Sequence, residues 1–323
     1  EIKDVKKYLG EFLMDERVID IAYWKRWLLI NGIILKVRPK KSAAAYKKVW
    51  WKEGSPLVVI SKRFAKKITE KIEIPLSLAM RYGSMSMEKG IKELVDRGVT
   101  EIFLVPLYPH YAMSSYETVV TKAEEILADK YPNIKLDVLP PFYNKPSYIK
   151  AMSSNIANHL KNFNYDHILF SYHGIPERHI LKSDVTKSHC KIDGSCCERS
   201  SIAHHSCYRH QCFETTKEIA KKLNLKEGTY SNSFQSRLLK DPWLKPYTDF
   251  ELEKFPVEGK KKLAVITPAF VSDCLETLEE IAMEGKEEFL KFGGTDYKHI
   301  PCMNDNVEWV DVMVSWINEW KTS

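Results

Sequence analysis

The chain predicts an α/β fold made of two similar Rossmann-like halves, each a parallel sheet covered by helices, with a cleft between them. Three observations lead there. Short apolar runs alternate with longer helical patterns through most of the 323 residues, the rhythm of parallel sheets with helices on both faces. One such run, His167-Ile168-Leu169-Phe170, stops in Ser171-Tyr172-His173-Gly174-Ile175-Pro176, because Gly-Ile-Pro cannot continue a strand. A later run, Leu263-Ala264-Val265-Ile266, ends on Thr267-Pro268 in the same manner. In open α/β sheets ligands bind beyond the carboxyl ends of strands, so both ends face a crevice.

Element by element, residues 4–13 read as an amphipathic helix. Residues 22–37 interleave Tyr23, Trp24, Trp27, Leu28, Leu29, Ile30, Ile33, Ile34 and Leu35 with Lys25, Arg26 and Lys36. That stretch is either a core helix or an interfacial lip with its rings at headgroup depth. Residues 56–61 and 76–82 read as strands, 87–97 as a helix and 101–106 as a strand. A helix over 116–130 and a strand over 134–139 follow. Pro140-Pro141 marks the domain crossing. The second half offers a helix over 147–162, the His173 strand, a cysteine-rich loop, and a helix over 213–223. Strands over 230–236 and 263–267, a helix over 274–292, a short strand ending at Ile300 and a helix over 307–320 complete it. The predicted domains are residues 1–140 plus 303–323, and 141–302 with a cysteine-rich insertion at 187–212.

Composition is that of an ordinary globular enzyme, 44% apolar and 28% charged. The net charge of +6 is mild, and no nucleic-acid motif accompanies the scattered basic clusters. No run approaches the roughly 20 apolar residues of a spanning helix, and no signal peptide is visible.

Two groups carry the chemistry. His173 is a strand-end imidazole, the side chain suited to accept protons near neutrality. Asp273, Glu276 and Glu280 are spaced by three and four, one face of a helix, where they read either as charges complementing a helix start or as a proton or cation path. Between the groups lie Gln235-Ser236-Arg237 and Pro242-Trp243-Leu244-Lys245-Pro246-Tyr247-Thr248-Asp249.

These four motifs, in this order, resemble the ferrochelatase family, and the resemblance covers nearly the whole chain. It implies the chelatase fold and insertion of ferrous iron into protoporphyrin IX, the last step of haem synthesis. The alternatives are another tetrapyrrole chelatase, for coproporphyrin or cobalt, and a non-enzymatic haem or iron–sulfur binding protein. The resemblance implies His173 and Glu276 as catalytic, Asp273 and Glu280 as the metal path, and Arg38, Lys41 and Ser236 as propionate holders. Tyr46, Trp243 and Phe270, with Tyr108 and Tyr111, are candidates for the aromatic walls around a flat tetrapyrrole. Arg81-Tyr82 matches a family pair at a strand end, with a structural or a catalytic role. Residues 22–37 match the hydrophobic lip, which implies a cytoplasmic enzyme held peripherally at the inner membrane, as monomer or homodimer. Many relatives carry histidine where this chain has Cys274. The family opens with a strand and a Gly-Gly-Pro turn that would lie upstream of Glu1.

Cys190, Cys196, Cys197, Cys207 and Cys212 fall in one loop, where typical members of the family have no such run. Disulfides, a structural zinc with histidine partners, and a [2Fe–2S] cluster compete. A reducing compartment and an iron-handling enzyme favour the cluster. Adjacent cysteines are awkward on one centre, so Cys190, Cys197, Cys207 and Cys212 are the expected ligands.

Overall fold

The computed structural model describes residues 2–238 and 241–322. It divides into two compact units, one of Glu1–Leu107, Met113–Pro140 and Met313–Ser323, the other of Tyr108–Ala112 and Pro141–Val312.

The first unit opens with helices α1 (Ile2–Leu13) and α2 (Tyr23–Leu29), a π-helical turn Ile30–Ile34, and α3 (Leu35–Val49). Next come α4 (Pro56–Thr69), α5 (Met87–Asp96), β1 (Glu101–Leu104), α6 (Thr118–Lys130) and β2 (Lys135–Val138). β1 and β2 pair in parallel, Glu101 opposite Lys135. Met87 and Ile91 of α5, Ile102 of β1, and Val119, Ala123, Ile126 and Leu127 of α6 form the core over them.

Two expectations fail here. Residues 56–61 are not a strand but the first turns of α4. Pro56 sits at the first helical position, where its missing N–H costs nothing, and Ile60, Phe64 and Ile68 bury at helical spacing. The β-branched run Val58-Val59-Ile60 imitated a strand because it was read without its continuation. Residues 76–82 form no strand either; their single ladder contact is a bridge from Met80 to Ser86.

The second unit holds α7 (Pro146–Leu160), β3 (His167–His173), α8 (Glu177–Ser183), α9 (Tyr208–Lys222) and β4 (Tyr230–Gln235). α10 (Thr248–Val257), β5 (Lys262–Ile266), a π-helical segment Glu276–Gly285, α11 (Lys286–Lys291), β6 (Asp296–His299) and the start of α12 (Val307–Lys321) follow. Its sheet is parallel in the order β4-β3-β5-β6. β3 is buried along its length up to His173, as a central strand covered on both faces must be. Alternation divides its side chains. Leu169 packs with Leu263 and Val265 against Leu252 and Phe255 of α10, Ile281 and Phe289. Tyr172, on the other face, shares a hydrogen bond of 2.8 Å with Thr216 of α9. Ser171 lies on the Leu169 face, and so does His173. α8 and α10 escape a sequence reading, because Pro176 and Pro256 make their surroundings look like loops.

Candidate active site and cysteine loop

β3 ends in register with β4, His173 opposite Gln235. The chain then turns so closely that a Cβ on Gly174 would stand 2.9 Å from the Gln235 carbonyl oxygen and 3.2 Å from the Trp243 ring. Only glycine fits there. The two motifs also pair with each other: Leu244 N–H donates to Ile175 O at 3.1 Å, and Glu177 N–H to Pro242 O at 2.9 Å. Trp243 is thereby buried, its indole N–H held by Leu238 O at 2.8 Å. His173 is half-buried. Its Nδ1 lies 2.7 Å from the Gly174 carbonyl, and its ring meets Phe270 edge to face at 6.3 Å. Tyr208 of α9 donates its hydroxyl to the His173 carbonyl at 2.7 Å.

Beneath the imidazole lies a buried polar chain. Ser171 Oγ donates to Gln235 Oε1 at 2.8 Å, and Gln235 Nε2 donates to the Glu276 carbonyl at 3.3 Å. Thr248 Oγ1 bonds Ser171 and Ser233, each at 2.8 Å. The histidine, Gln-Ser-Arg, Thr-Asp and glutamate motifs are therefore one hydrogen-bonded structure.

The three acidic residues do not form one ladder. Glu276 and Glu280 lie within electrostatic reach of each other in the π-helical segment. Burial pushes the Glu280 carboxyl up to about 7, against the Ser236 hydroxyl and with help from the Glu276 charge. Ser236, in the left-handed region at φ 66°, donates to Glu280 Oε2 at 2.6 Å. The buried Cys274 thiol bonds the Glu276 side chain. Asp273 is committed elsewhere. Its carboxylate accepts from Thr277 Oγ1 at 2.9 Å, from Asn304 Nδ2 at 2.7 Å and from Cys302 N–H at 3.3 Å. Spacing by three and four implied a shared α-helical face, but Asp273 precedes the helix as its anchor, and the helix is π-helical. Tyr297 of β6 donates to the Ile281 carbonyl at 2.7 Å, an outside bond to a helix carbonyl of the kind that loosens the α-helical ladder. π-helical insertions are frequent at functional sites.

Within the first unit, Arg38 and Lys41 are exposed on α3, and Tyr46 is half-buried against Trp50 at 6.2 Å. Arg81 and Tyr82 join a structural knot: Arg81 Nη2 reaches Asp15 Oδ2 at 2.5 Å, and the Tyr82 hydroxyl donates to the same oxygen at 3.0 Å. Tyr108 is partly exposed, and Tyr111 N–H donates to Gln211 Oε1 at 2.7 Å, both within the second unit.

All seven cysteines are free thiols. The loop between α8 and α9 is organised by Asp184, which accepts the N–H groups of Thr186, His189 and Cys190 at 2.8 to 2.9 Å. Burial opposes its ionisation, yet those donors and the Thr186 hydroxyl hold its carboxyl down to about 2. The loop closes at its base through Ser206 Oγ to Ser183 O at 2.6 Å. The Cys190 and Cys207 side chains bond each other, and Cys196 lies within electrostatic reach of both. Cys197 joins them; burial lifts its thiol to about 11 while Arg209 pulls the other way. Cys212, fully buried on α9, bonds Tyr208. His204 stacks on His210 at 3.5 Å and meets His189 Nε2 at 3.3 Å. Among the described residues no three His, Cys, Asp or Glu side chains converge as a metal-holding group.

A family profile described as ferrochelatase matches residues 1–320. A ferrochelatase of Opitutus terrae is 44% identical over 322 residues, covering 99% of this chain and 93% of the relative. One of Stutzerimonas stutzeri is 43% identical over 316 residues, 97% of this chain and 92% of its own. Among solved structures, the sirohydrochlorin chelatase SirB from Bacillus subtilis subspecies spizizenii in complex with cobalt superposes with a TM-score of 0.53 at 11% identity. It covers 81% of this chain and 88% of that one. The structural likeness speaks for the fold: an α/β architecture of parallel sheets and helices shared with chelatases.

Proposed function

This chain belongs to the ferrochelatase family, the metal chelatases that insert ferrous iron into a porphyrin in haem synthesis, and on that premise we propose how its own residues perform the step on protoporphyrin IX. Insertion requires loss of two pyrrole N–H protons. The observation that carries the assignment is the 2.7 Å contact from His173 Nδ1 to the Gly174 carbonyl. A carbonyl oxygen can only accept, so Nδ1 bears a proton, and in the neutral imidazole the lone pair is then on Nε2. That tautomer is the base, and Nε2 takes the pyrrole protons.

Glu276 and Glu280 receive protons in turn and offer oxygens to the entering iron. A carboxyl held near 7 by burial is matched to proton exchange near neutrality. Asp273 acts as a positioning residue that anchors the turn ahead of them. Trp243, Phe270 and Tyr46 supply ring faces, and Arg38, Lys41 and Ser236 meet the propionates, arginine being suited to bidentate carboxylate binding. His173→Ala is expected to lower the insertion rate at least a hundredfold, the usual size of a lost acid–base group, while porphyrin fluorescence still titrates with unchanged affinity. More than about a tenth of the rate remaining would remove His173 from the role.

Two finer readings accompany it. Residues 22–37 form a peripheral membrane face, supported by Tyr23, Trp24, Trp27, Leu28, Ile33 and Val37 all being exposed beside Lys25 and Lys36. No helix among the described residues is long and apolar enough to cross a membrane. The cysteine loop takes a [2Fe–2S] cluster. What supports it is that Cys190 and Cys197 are both buried near Cys207, although the cysteines do not converge as a metal-holding group among the described residues. Cys212, the expected fourth ligand, is turned to Tyr208, whereas Cys196 shares the pocket of the other three. Such a cluster, once bound, would tie together a loop with little apolar surface of its own.

A further inference from the structure

Gln235 closes β4 directly opposite His173 at the end of β3, and it is 4% exposed. Paired residues of neighbouring strands leave a sheet on the same face, so its amide shares the face of the imidazole. Both ends of that amide are assigned by their neighbours. The Glu276 carbonyl, 3.3 Å away, can only accept, so Nε2 faces it and Oε1 takes the Ser171 hydroxyl proton at 2.8 Å. Ser171 has then spent its one proton and accepts from Thr248 Oγ1 at 2.8 Å. Thr248 in turn accepts from Ser233 Oγ at 2.8 Å. Donation therefore runs one way, from Ser233 through Thr248, Ser171 and Gln235 to the backbone of Glu276.

All four of these side chains are buried. A buried donor or acceptor left without a partner is costly, so each member of the chain fixes the next. The backbone of Gln235 adds a second grip, since the Gly174 N–H donates to its carbonyl at 2.7 Å. Gln235 thus holds two things at once. Its main chain holds the turn directly after His173. Its side chain holds Glu276, the first residue of the π-helical segment.

We propose that Gln235 is a positioning residue for metal insertion, its amide setting the separation between the His173 imidazole and the Glu276 carboxylate by fixing the backbone on which Glu276 stands. The inference rests on the roles given above to His173 and Glu276. Gln235 acts through those two residues and not on the substrates. Groups that pass a proton must stay within a hydrogen bond or one water of it, and a misplacement of about 1 Å can cost up to about a hundredfold in rate. The feature that matters is the donor aimed at the Glu276 carbonyl. Gln235→Glu isolates it, because the shape is kept. Protonated, that side chain donates its O–H to the Glu276 carbonyl and still accepts from Ser171. Ionised, it turns an acceptor against the carbonyl and the donor is lost.

The test measures anaerobic insertion of ferrous iron into protoporphyrin by wild type, Gln235→Glu, Gln235→Leu and His173→Ala across a pH series from mildly acid to mildly alkaline. Porphyrin affinity is read from fluorescence and the folded fraction from circular dichroism at each pH. Gln235→Glu is expected to stay within about twofold of wild type at the acid end and to fall to about a tenth of it at the alkaline end, at unchanged porphyrin affinity. Its rate relative to wild type then follows the proton that restores the donor, a response that space-filling alone does not produce. Gln235→Leu, which has no donor, is expected to be about tenfold slow at every pH; where it does not fold, the Gln235→Glu profile decides. A Gln235→Glu profile parallel to wild type, at full or at uniformly reduced rate, overturns the inference. So does a fall that vanishes once rates are corrected for folded fraction and bound porphyrin. An inactive His173→Ala beside a parallel Gln235→Glu profile leaves the reading of the site standing and removes only Gln235. A His173→Ala that keeps more than about a tenth of the rate removes that reading and this inference with it.

Discussion

In their proposed roles, His173 and Glu280 are set by different physical means. The imidazole is tuned by tautomer, since the Gly174 carbonyl holds the Nδ1 proton. The carboxyl is tuned by burial, from its ordinary 4.5 to about 7. A carboxyl raised in the folded state is harmless below its unfolded value and penalises folding as pH climbs through the folded one. For Glu280 that penalty builds between about pH 4.5 and 7 and reaches on the order of 3 kcal/mol. Glu280→Gln is expected to be the more stable protein at about pH 8 and indistinguishable near pH 4.5, read from urea midpoints at both. A pH-independent gap would mean the carboxyl is not strained. His173 was legible in the sequence because an apolar run met Gly-Ile-Pro. Arg209 was not, because an arginine among histidines looks like surface until its burial is known. The bonds of Asp273 to Thr277 and Asn304 were not legible, because residue spacing carries no information about them.

At the scale of elements, the turn after β3 is the tightest constraint on the site. A methyl on Gly174 would meet a backbone oxygen at 2.9 Å, which cannot swing aside as a side-chain tip could. Gly174→Ala is expected to cost about 1–3 kcal/mol, as overpacking does, visible as a lowered melting temperature, and to separate the histidine motif from Trp243. An unchanged melting temperature would show that β4 can yield there. Strands that end in Gly or Pro were legible, and so were α5 and α6, whose buried positions repeat at helical intervals. α4 was hidden by four consecutive β-branched or aliphatic residues after a proline, and α10 by Pro256. The π-helical character of Glu276–Gly285 had no local sequence signal, and the bond from Tyr297 of β6 to the Ile281 carbonyl lies far off in sequence.

At the scale of the whole molecule, the proposed membrane face is tested at its most exposed rings. Trp24 is 60% exposed and Trp27 is 49% exposed, so changing both to serine removes apolar surface without emptying a core. The double variant is expected to keep its melting temperature and lose several-fold in partitioning onto vesicles containing anionic lipid, since each buried ring contributes a few kcal/mol at most. Unchanged partitioning would assign those rings another purpose. The closed base of the cysteine loop bears on the molecule's history. Ser183 and Ser206 are hydrogen-bonded, so the segment between them could be excised and its ends rejoined with a short glycine spacer, leaving β3, α8 and α9 on their paths. Excision removes Lys191, Ile192, Cys196 and Cys197, the residues Arg209 contacts, and leaves its guanidinium to solvent. The shortened chain is expected to fold with Arg209 unchanged, as circular dichroism and melting would report, because a solvated guanidinium carries no burial penalty. The loop is thus a detachable module, since the groups that bury Arg209 leave together with it.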